Sequence, residues 1–343
     1  AGGLYMIYMS FFIGLFFICK GGDWFVEAAS KLSEVLGIPK YVIGATIVSF
    51  ATTMPEIIVS VAAALKGHSV MAIGNAIGSV SANTGIILAL SLFFLPVAIR
   101  REEYLIKTIL YLGTLVLLFF SFGDKIFDKS DCFLLLLAGV LFLTQNIKSA
   151  VQESKGSAKE NKRQSSIFYR RTQNGRDEKK KDSSYRRQRK SIIWKTLFWF
   201  CTGAIAIVAG SELLVQSACA IAEKLHISED IIAVTIVAMG TSLPELVTTI
   251  TAIIKKESSL SVGNIVGANM IDSAFILPIC TLISGEKLPI SAQMIEIDMP
   301  LCMLISAIAL VPMLIRKKIK RWEGVIIFSI YMGYLLYIIR KPI

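Results

Sequence analysis

Three acidic residues carry the chemistry of this sequence. Glu56, Glu245 and Asp272 each lie well inside an apolar run, away from its ends. An ionisable side chain at the centre of a membrane-spanning helix costs about 2.5–3.5 kcal/mol on insertion scales. No Lys, Arg or His sits at comparable depth in any of the apolar runs. The compensating positive charge is therefore expected from outside the chain, as a bound cation or a proton.

The neighbouring residues fit a metal ion better than a proton alone. Pro55 has no N–H, so the carbonyl of Ala51, four residues earlier, loses its helical donor; Pro244 does the same for Gly240. Thr52 with Glu56, and Thr241 with Glu245, are spaced i, i+4 and share a helix face. Thr53 and Ser242 add hydroxyls beside them. Asn75, Ser79 and Asn83 form a polar stripe at the same spacing, and Asn264, Ala268 and Asp272 form its counterpart. Brought together, these groups offer carboxylate, amide, hydroxyl and carbonyl oxygens, the hard donors that Ca2+ and Na+ take; a flexible oxygen cage favours Ca2+ over Mg2+. A proline alone in such a helix is commonly just a kink. For Gly74, Gly78, Gly263 and Gly267, close helix packing is the better single explanation.

These residues need elements to hold them. Of the 343 residues, 54% are hydrophobic and only 18% charged, below the roughly 25% charged of soluble domains, which argues against an ordinary water-soluble enzyme. Runs long enough to span a bilayer lie near 4–20, 41–65, 70–97, 104–122, 131–149, 192–215, 230–254, 259–284, 291–315 and 322–340. The expected fold is an all-α integral membrane protein of ten transmembrane helices, split five and five by a charged segment.

Shifting the sequence by 189 residues aligns 21–83 with 210–272 without a gap. TIVSFATTMPE (Thr46 to Glu56) falls on TIVAMGTSLPE (Thr235 to Glu245), and AIGNAIGSVSAN (Ala72 to Asn83) on SVGNIVGANMID (Ser261 to Asp272). Five spans separate equivalent positions, so the two copies cross the membrane in opposite directions. Two inverted five-helix repeats are the usual architecture of secondary transporters with a midplane site. The halves are 1–149, with a first repeat motif at about 41–97, and 192–343, with a second at about 230–284.

The net charge of +11 resides in one place. Between Lys148 and Lys195 there are 16 Lys/Arg and 5 Asp/Glu, and the remaining charges cancel, twenty of each sign. Residues 150–191 have almost no aliphatic residues and are expected to form a flexible basic loop. Nucleic-acid binding by the body of the chain is not expected. With that loop cytoplasmic, its side of the membrane holds 29 of the 36 basic residues, as the positive-inside rule requires. Both termini then lie outside, in a cell (plasma or inner) membrane. Trp24, Trp194, Trp199 and Trp322 fall near span boundaries and suit interfacial anchoring.

With those residues in view, the chain resembles the calcium/cation antiporter superfamily, most closely its sodium/calcium exchanger branch of prokaryotic type. GTSLPE (Gly240 to Glu245) followed by GNIVGANMID (Gly263 to Asp272) is nearly that family's second repeat, and the five-plus-five layout extends the likeness to the whole chain. The resemblance implies exchange of Ca2+ for Na+ by alternating access. It implies that Glu56 and Glu245 hold Ca2+ and share Na+, that Thr52 and Thr241 offer backbone and hydroxyl oxygens, that Asn83 and Asp272 complete the central site, and that Ser79 ligates Na+. The first and sixth helices are expected to move against the rest. Ala51 stands where Gly is usual, Thr53 where Ser is, and Val80 where Asn is; Ala268 stands where a Ser would mirror Ser79.

Ca2+/H+ and K+-dependent Na+/Ca2+ exchange stay open as alternatives. A cation channel would require a continuous pore, usually built by oligomeric symmetry, whereas internal repetition points to a carrier acting as a monomer. No nucleophile–base pair or metal-protease motif is present, so no enzyme activity is expected. The expected partners are the lipid bilayer and the two ions; no resident cofactor is expected.

Overall fold

The computed structural model describes residues 2–94, 101–169, 178–224, 238–285, 287–316 and 320–340. Proline and glycine set the helix boundaries. Helix α1 (Gly2–Leu36) ends at Gly37, whose φ of 66° is left-handed, and α2 (Lys40–Thr52) begins after Pro39. The chain breaks at Thr53 (φ −83°, ψ 0°), and α3 (Met54–Leu65) restarts with Pro55 in its first turn, where a missing N–H costs nothing; the axes of α2 and α3 differ by 44°. Then follow α4 (Ser69–Phe94), α5 (Arg101–Ser121), α6 (Lys129–Tyr169) and α7 (Glu178–Lys224). After the stretch 225–237, which lies outside the described residues, come α8 (Ala238–Thr241), a second break at Ser242 (φ −88°, ψ 7°) and α9 (Leu243–Ile254) with Pro244 in its first turn. The chain ends with α10 (258–284), α11 (294–316) and α12 (Arg321–Arg340).

Among the described residues, six helices are long and apolar enough to cross a membrane alone, and the bent α2–α3 pair makes a seventh. The apolar part of α5 (Leu105–Ser121) and α9 are shorter, and α12 carries Arg321 and Glu323 in its first turn. The basic segment expected as a loop is helical at both flanks, to Tyr169 and from Glu178; residues 170–177 lie outside the described ones.

Among the described residues, one two-stranded sheet interrupts the helices. β1 (Ile126–Phe127) pairs antiparallel with β2 (Leu288–Pro289), tying the α5–α6 turn to the α10–α11 turn. Beside it Asp128 accepts bonds from the backbone N–H (2.8 Å) and hydroxyl of Ser130, while Asp131 accepts the N–H of Asp128 at 2.9 Å. This reciprocal capping box starts α6, and the Ser130 bonds, helped by Lys287 3.5 Å away, hold the Asp128 carboxyl below its ordinary range.

The outer surface is apolar where that of a water-soluble protein is polar, and polar groups lie covered within the apolar core. Phe12, Phe50, Ile58 and Ile205 are 58–69% exposed, while Thr53, Glu56, Ser60, Glu245, Asp272 and Ser273 are fully covered. Apolar residues outside and polar ones inside are what a hydrocarbon solvent selects.

Two packing seams matter for the site. Helix α2 lies against the first half of α10 so closely that a Cβ on Gly44 would come within 2.4 Å of the Leu260 carbonyl oxygen, and one on Gly263 within 2.3 Å of the Tyr41 carbonyl oxygen. Gly267 likewise abuts Ala45 and Ser49. No atom of the described residues lies within 4 Å of such a Cβ at Gly74 or Gly78. The second seam joins α1 and α7 antiparallel. Gly21 meets the Gly203 carbonyl, Gly210 meets the Gly14 carbonyl, and the Phe25 and Phe200 rings sit 4.4 Å apart. A separate small core, including Phe25, Ala29, Val48, Ile207 and Leu260, connects this pair to the remainder. At one end Glu257 accepts Lys40 Nζ at 2.6 Å and Ser30 Oγ at 2.9 Å, and Lys255 reaches Glu27 at 3.4 Å and Asp23 at 3.6 Å. Asp23 and Glu27 at the end of the first apolar run thus face a lysine.

Gly263→Ala forces its methyl into backbone. A loss on the order of 1–3 kcal/mol is expected, read as a lower thermal unfolding midpoint of the detergent-purified chain. Gly113→Ala, with no described atom within 4 Å, is expected to leave the midpoint unchanged or raise it slightly. Equal behaviour of the two would contradict the seam.

Candidate cation site

Each proline break leaves a hydroxyl residue at the bend and a carboxylate on the next turn. At the first bend these are Thr52, Thr53 and Glu56; at the second, Thr241, Ser242 and Glu245. The structure bonds the two groups crosswise. Ser242 Oγ donates to Glu56 Oε1 at 3.2 Å, and Thr53 Oγ1 donates to Glu245 Oε1, also at 3.2 Å. Thr52 Oγ1 donates to Asn264 Oδ1 at 3.2 Å, and Thr241 Oγ1 to Asn75 Oδ1 at 3.4 Å. Every bond joins residue i of one segment to the repeat-equivalent partner in the other.

The polar stripes of α4 and α10 complete the wall. Asn75 Nδ2 donates to the Glu56 carbonyl at 3.2 Å and to Ser60 Oγ at 2.9 Å. Asn264 Nδ2 donates to Thr248 Oγ1 at 3.0 Å, and Thr248 Oγ1 donates on to the Glu245 carbonyl. Ser79 Oγ lies 3.5 Å from Ser242 Oγ. Its counterpart Ala268 is fully buried and contributes no oxygen. Asn83 and Asp272 each begin a π-helical turn, Asn83–Leu88 in α4 and Asp272–Ile276 in α10. Such turns interrupt the i→i−4 ladder and recur at functional positions.

The three carboxylates and Asn83 are at most 1% exposed. Glu56 Oε2, Glu245 Oε2, both Asp272 oxygens and both polar side-chain atoms of Asn83 are covered without a hydrogen-bond partner. Among the described residues none of the three acids is ion-paired. Lys107, inside the apolar run 104–122, is a buried lysine: it is 2% exposed, with its ammonium 4.7 Å from the Tyr41 ring centroid at the start of α2. That is fifteen residues along the chain from Glu56, in a different part of the fold.

Of the expected site residues, Glu56, Ser242 and Ser79 form one bonded group and Thr53 with Glu245 a second, with Thr52 and Thr241 bonded to the stripe amides. Ala51 and Gly240 sit at the bends, and Asp272 and Asn83 sit buried at the π turns. Sequence reasoning passed over Ser60 and Thr248, which hold the stripe amides, though Thr248 stands one turn from Glu245. It also missed a polar chain beside Asn83: Asn269 Nδ2 donates to Thr84 Oγ1 at 2.9 Å and to Tyr111 Oη at 3.3 Å, and Tyr111 contacts Ser306 Oγ at 3.0 Å. One amide and three hydroxyls on four separate helices leave no spacing signal.

A multi-pass helical membrane protein with acids buried across two broken helices is the class that this geometry defines. The sequence pattern of the sodium/calcium exchanger protein family matches residues 6–148 and 195–340, and the chain belongs to that family. It is 29% identical to the sodium/calcium exchanger MaX1 of Methanosarcina acetivorans, over 96% of this chain and 99% of the relative. It is 31% identical to the inner membrane protein YrbG of Escherichia coli, over 81% of each. Among solved structures, the sodium-calcium exchanger NCX_Mj soaked with Na+ and Sr2+ superimposes with a TM-score of 0.77 at 25% identity, covering 97% of this chain and 99% of that one. The same exchanger soaked with zero Na+ and Ca2+ gives 0.79, covering 98% and 99%.

Removing the Asn264 amide leaves the Thr52 and Thr248 hydroxyls short of a partner in a buried setting. Asn264→Ala is expected to cost about 1–3 kcal/mol. In a double-mutant cycle with Thr52→Val the two losses should be less than additive, measured by thermal unfolding; full additivity would show that the bond contributes nothing.

Proposed function

We propose that the chain is a secondary antiporter that exchanges Ca2+ for Na+ by alternating access at a midplane carboxylate site. The crossed pairs Ser242–Glu56 and Thr53–Glu245 carry this reading. Each joins the carboxylate of one bend to the hydroxyl of the other, a third buried acid, Asp272, lies on α10 with no bonded partner, and among the described residues no basic side chain pairs with any of the three. Three carboxylates bear up to −3, which one Ca2+ or several Na+ can neutralise. The two loads then compete for the same oxygens. A site that is costly to leave empty permits the inward–outward switch with cargo aboard, and exchange rather than leak follows.

In this reading Glu56, Glu245 and Asp272, with Asn83, hold the divalent ion. Thr52, Thr53, Thr241, Ser242 and Ser79, with the carbonyls of Ala51 and Gly240, supply the oxygens for Na+. No resident cofactor takes part and no bond is made or broken. Ten membrane-spanning helices form two inverted five-helix repeats, 1–149 and 192–343. The repeat-equivalent bonds of the site and the matching glycine contacts of the α1–α7 seam support that arrangement. The pair α1 and α7, held by its own small core, is the body that slides against the rest. The segment 150–191 faces the cytoplasm as a flexible linker with both termini outside, and one chain suffices for transport. Since Ala268 adds no oxygen on the Glu245 flank, proton coupling at the same site is the second reading.

In liposomes holding the purified chain, Ca2+ uptake should require an opposing Na+ gradient. Equal uptake with K+ or choline inside would contradict sodium coupling, and uptake driven by a pH gradient would favour the proton reading. Glu56→Gln and Glu245→Gln should each abolish exchange, because both carboxylates serve both ions; near-normal flux by either would remove that residue from the site. Ala268→Ser should raise the apparent Na+ affinity.

A further inference from the structure

A second feature of the α1–α7 seam is unrelated to the carboxylates. Near the basic side of the membrane the two helices part around a cleft of about 670 Å³. Its floor is Ala28 and Thr196, 4% and 7% exposed, small residues that keep the seam concave. Trp24 and Trp199 close the membrane end, with ring centroids 5.2 Å apart, and Lys31 and Lys195 stand on the other side. Glu27 also lines the cleft, but its carboxylate faces Lys255 at 3.4 Å, so it does not cancel the two lysines. Lys195 has no ion pair among the described residues. Lys31 meets Glu34 only at 3.9 Å, with both side chains more than half exposed, an arrangement worth little.

The repeat supplies an internal control. The same 189-residue offset sets Leu213, Ala220, Met6 and Ser10 where Trp24, Lys31, Lys195 and Trp199 stand. The opposite end of the seam shares the backbone plan and the glycine contacts, yet its equivalent positions carry no indole and no charge. Close packing of two helices therefore does not require the two tryptophans and two lysines. Indoles at the membrane–water boundary with ammonium groups just beyond them match a phospholipid: the rings lie at the level of the glycerol backbone and the cations meet an anionic phosphate. On α1, Phe17 and Ile13 continue the Trp24 face into the membrane at seven and eleven residues' distance, 40% and 41% exposed. They give an acyl chain a track.

We infer that this cleft is a binding site for one anionic phospholipid, held at the seam of α1 and α7 by Lys31, Lys195 and the Trp24–Trp199 pair. Charge complementarity selects an anionic headgroup over a zwitterionic one, because two ammonium groups line the cleft, one without an ion pair among the described residues and one with only a loose, exposed pair. A lipid seated there touches both helices at once and makes their packing responsive to membrane composition. The binding test does not depend on which ions the chain carries.

Native mass spectrometry of the full chain in detergent, with phosphatidylglycerol or phosphatidylcholine added, reads the site directly. One phosphatidylglycerol per chain should be retained in preference to phosphatidylcholine. Lys31→Gln with Lys195→Gln should lower that retention about tenfold or more, while Lys31→Arg with Lys195→Arg keeps it and Lys66→Gln, on the opposite side, leaves it unchanged. Glycerol phosphate at equal concentration should not displace the lipid. Equal retention of both lipids, wild-type retention by the double Gln variant, an equal fall in Lys66→Gln, or displacement by glycerol phosphate would each overturn the inference.

Discussion

The burial of three carboxylates with no basic partner among the described residues is the constraint to which the rest of the molecule answers. In an apolar interior an unpaired ionised acid is too expensive to keep, so every donor within reach is drafted. Here the donors come crosswise. Glu56 is bonded by a hydroxyl from the second bend and Glu245 by one from the first. Neither carboxylate is complete within its own segment, and the site exists only when both broken helices meet. Half of each glutamate is satisfied, leaving one oxygen on each side, both Asp272 oxygens and the Asn83 amide covered without a partner. In the proposed reading, these are the oxygens that a cation would take.

The helix breaks and the glycine seams follow from that demand. A continuous α-helix satisfies its own carbonyls and turns successive side chains away from a common point. Pro55 and Pro244 interrupt this at Thr53 and Ser242, bringing hydroxyl and carboxylate together at the bend. The π turns at Asn83 and Asp272 rephase α4 and α10 by one residue at the same level. Gly44, Gly263 and Gly267 then let α2 approach α10 until backbone touches backbone. By contrast, α1 and α7 join the rest through a smaller core and an ionic cluster at one end, around Glu257 and Lys255. The tight part of the molecule surrounds the acids, and the more weakly attached pair lies alongside.

Much of this was legible in the sequence. Proline four residues after a small residue and directly before glutamate, twice at a fixed offset, specifies both the bends and which acids face one another. The oxygen-rich stripes were visible because amide and hydroxyl residues recur at i+4 in otherwise apolar runs. Four features escaped notice. The π turns carry no composition signal: Asn83 and Asp272 were singled out as side chains, not as points where the ladder changes. The Asn269–Thr84–Tyr111–Ser306 chain joins single residues from four helices, and only packing brings them together. The burial of Lys107 near the start of its apolar run is allowed by the Tyr41 ring and its long apolar stem, which charge alone does not reveal. The helical flanks of the basic segment were hidden because lysine, arginine, glutamate and glutamine are good helix formers even where no core exists.

Titration of Ca2+ into the detergent-purified chain by calorimetry, repeated at rising Na+ and with Glu56→Gln, tests the central claim most directly. The account predicts a Ca2+ site that weakens steadily as Na+ rises and disappears when the glutamate loses its charge. Ca2+ binding indifferent to Na+, or undiminished in the Gln variant, would contradict it.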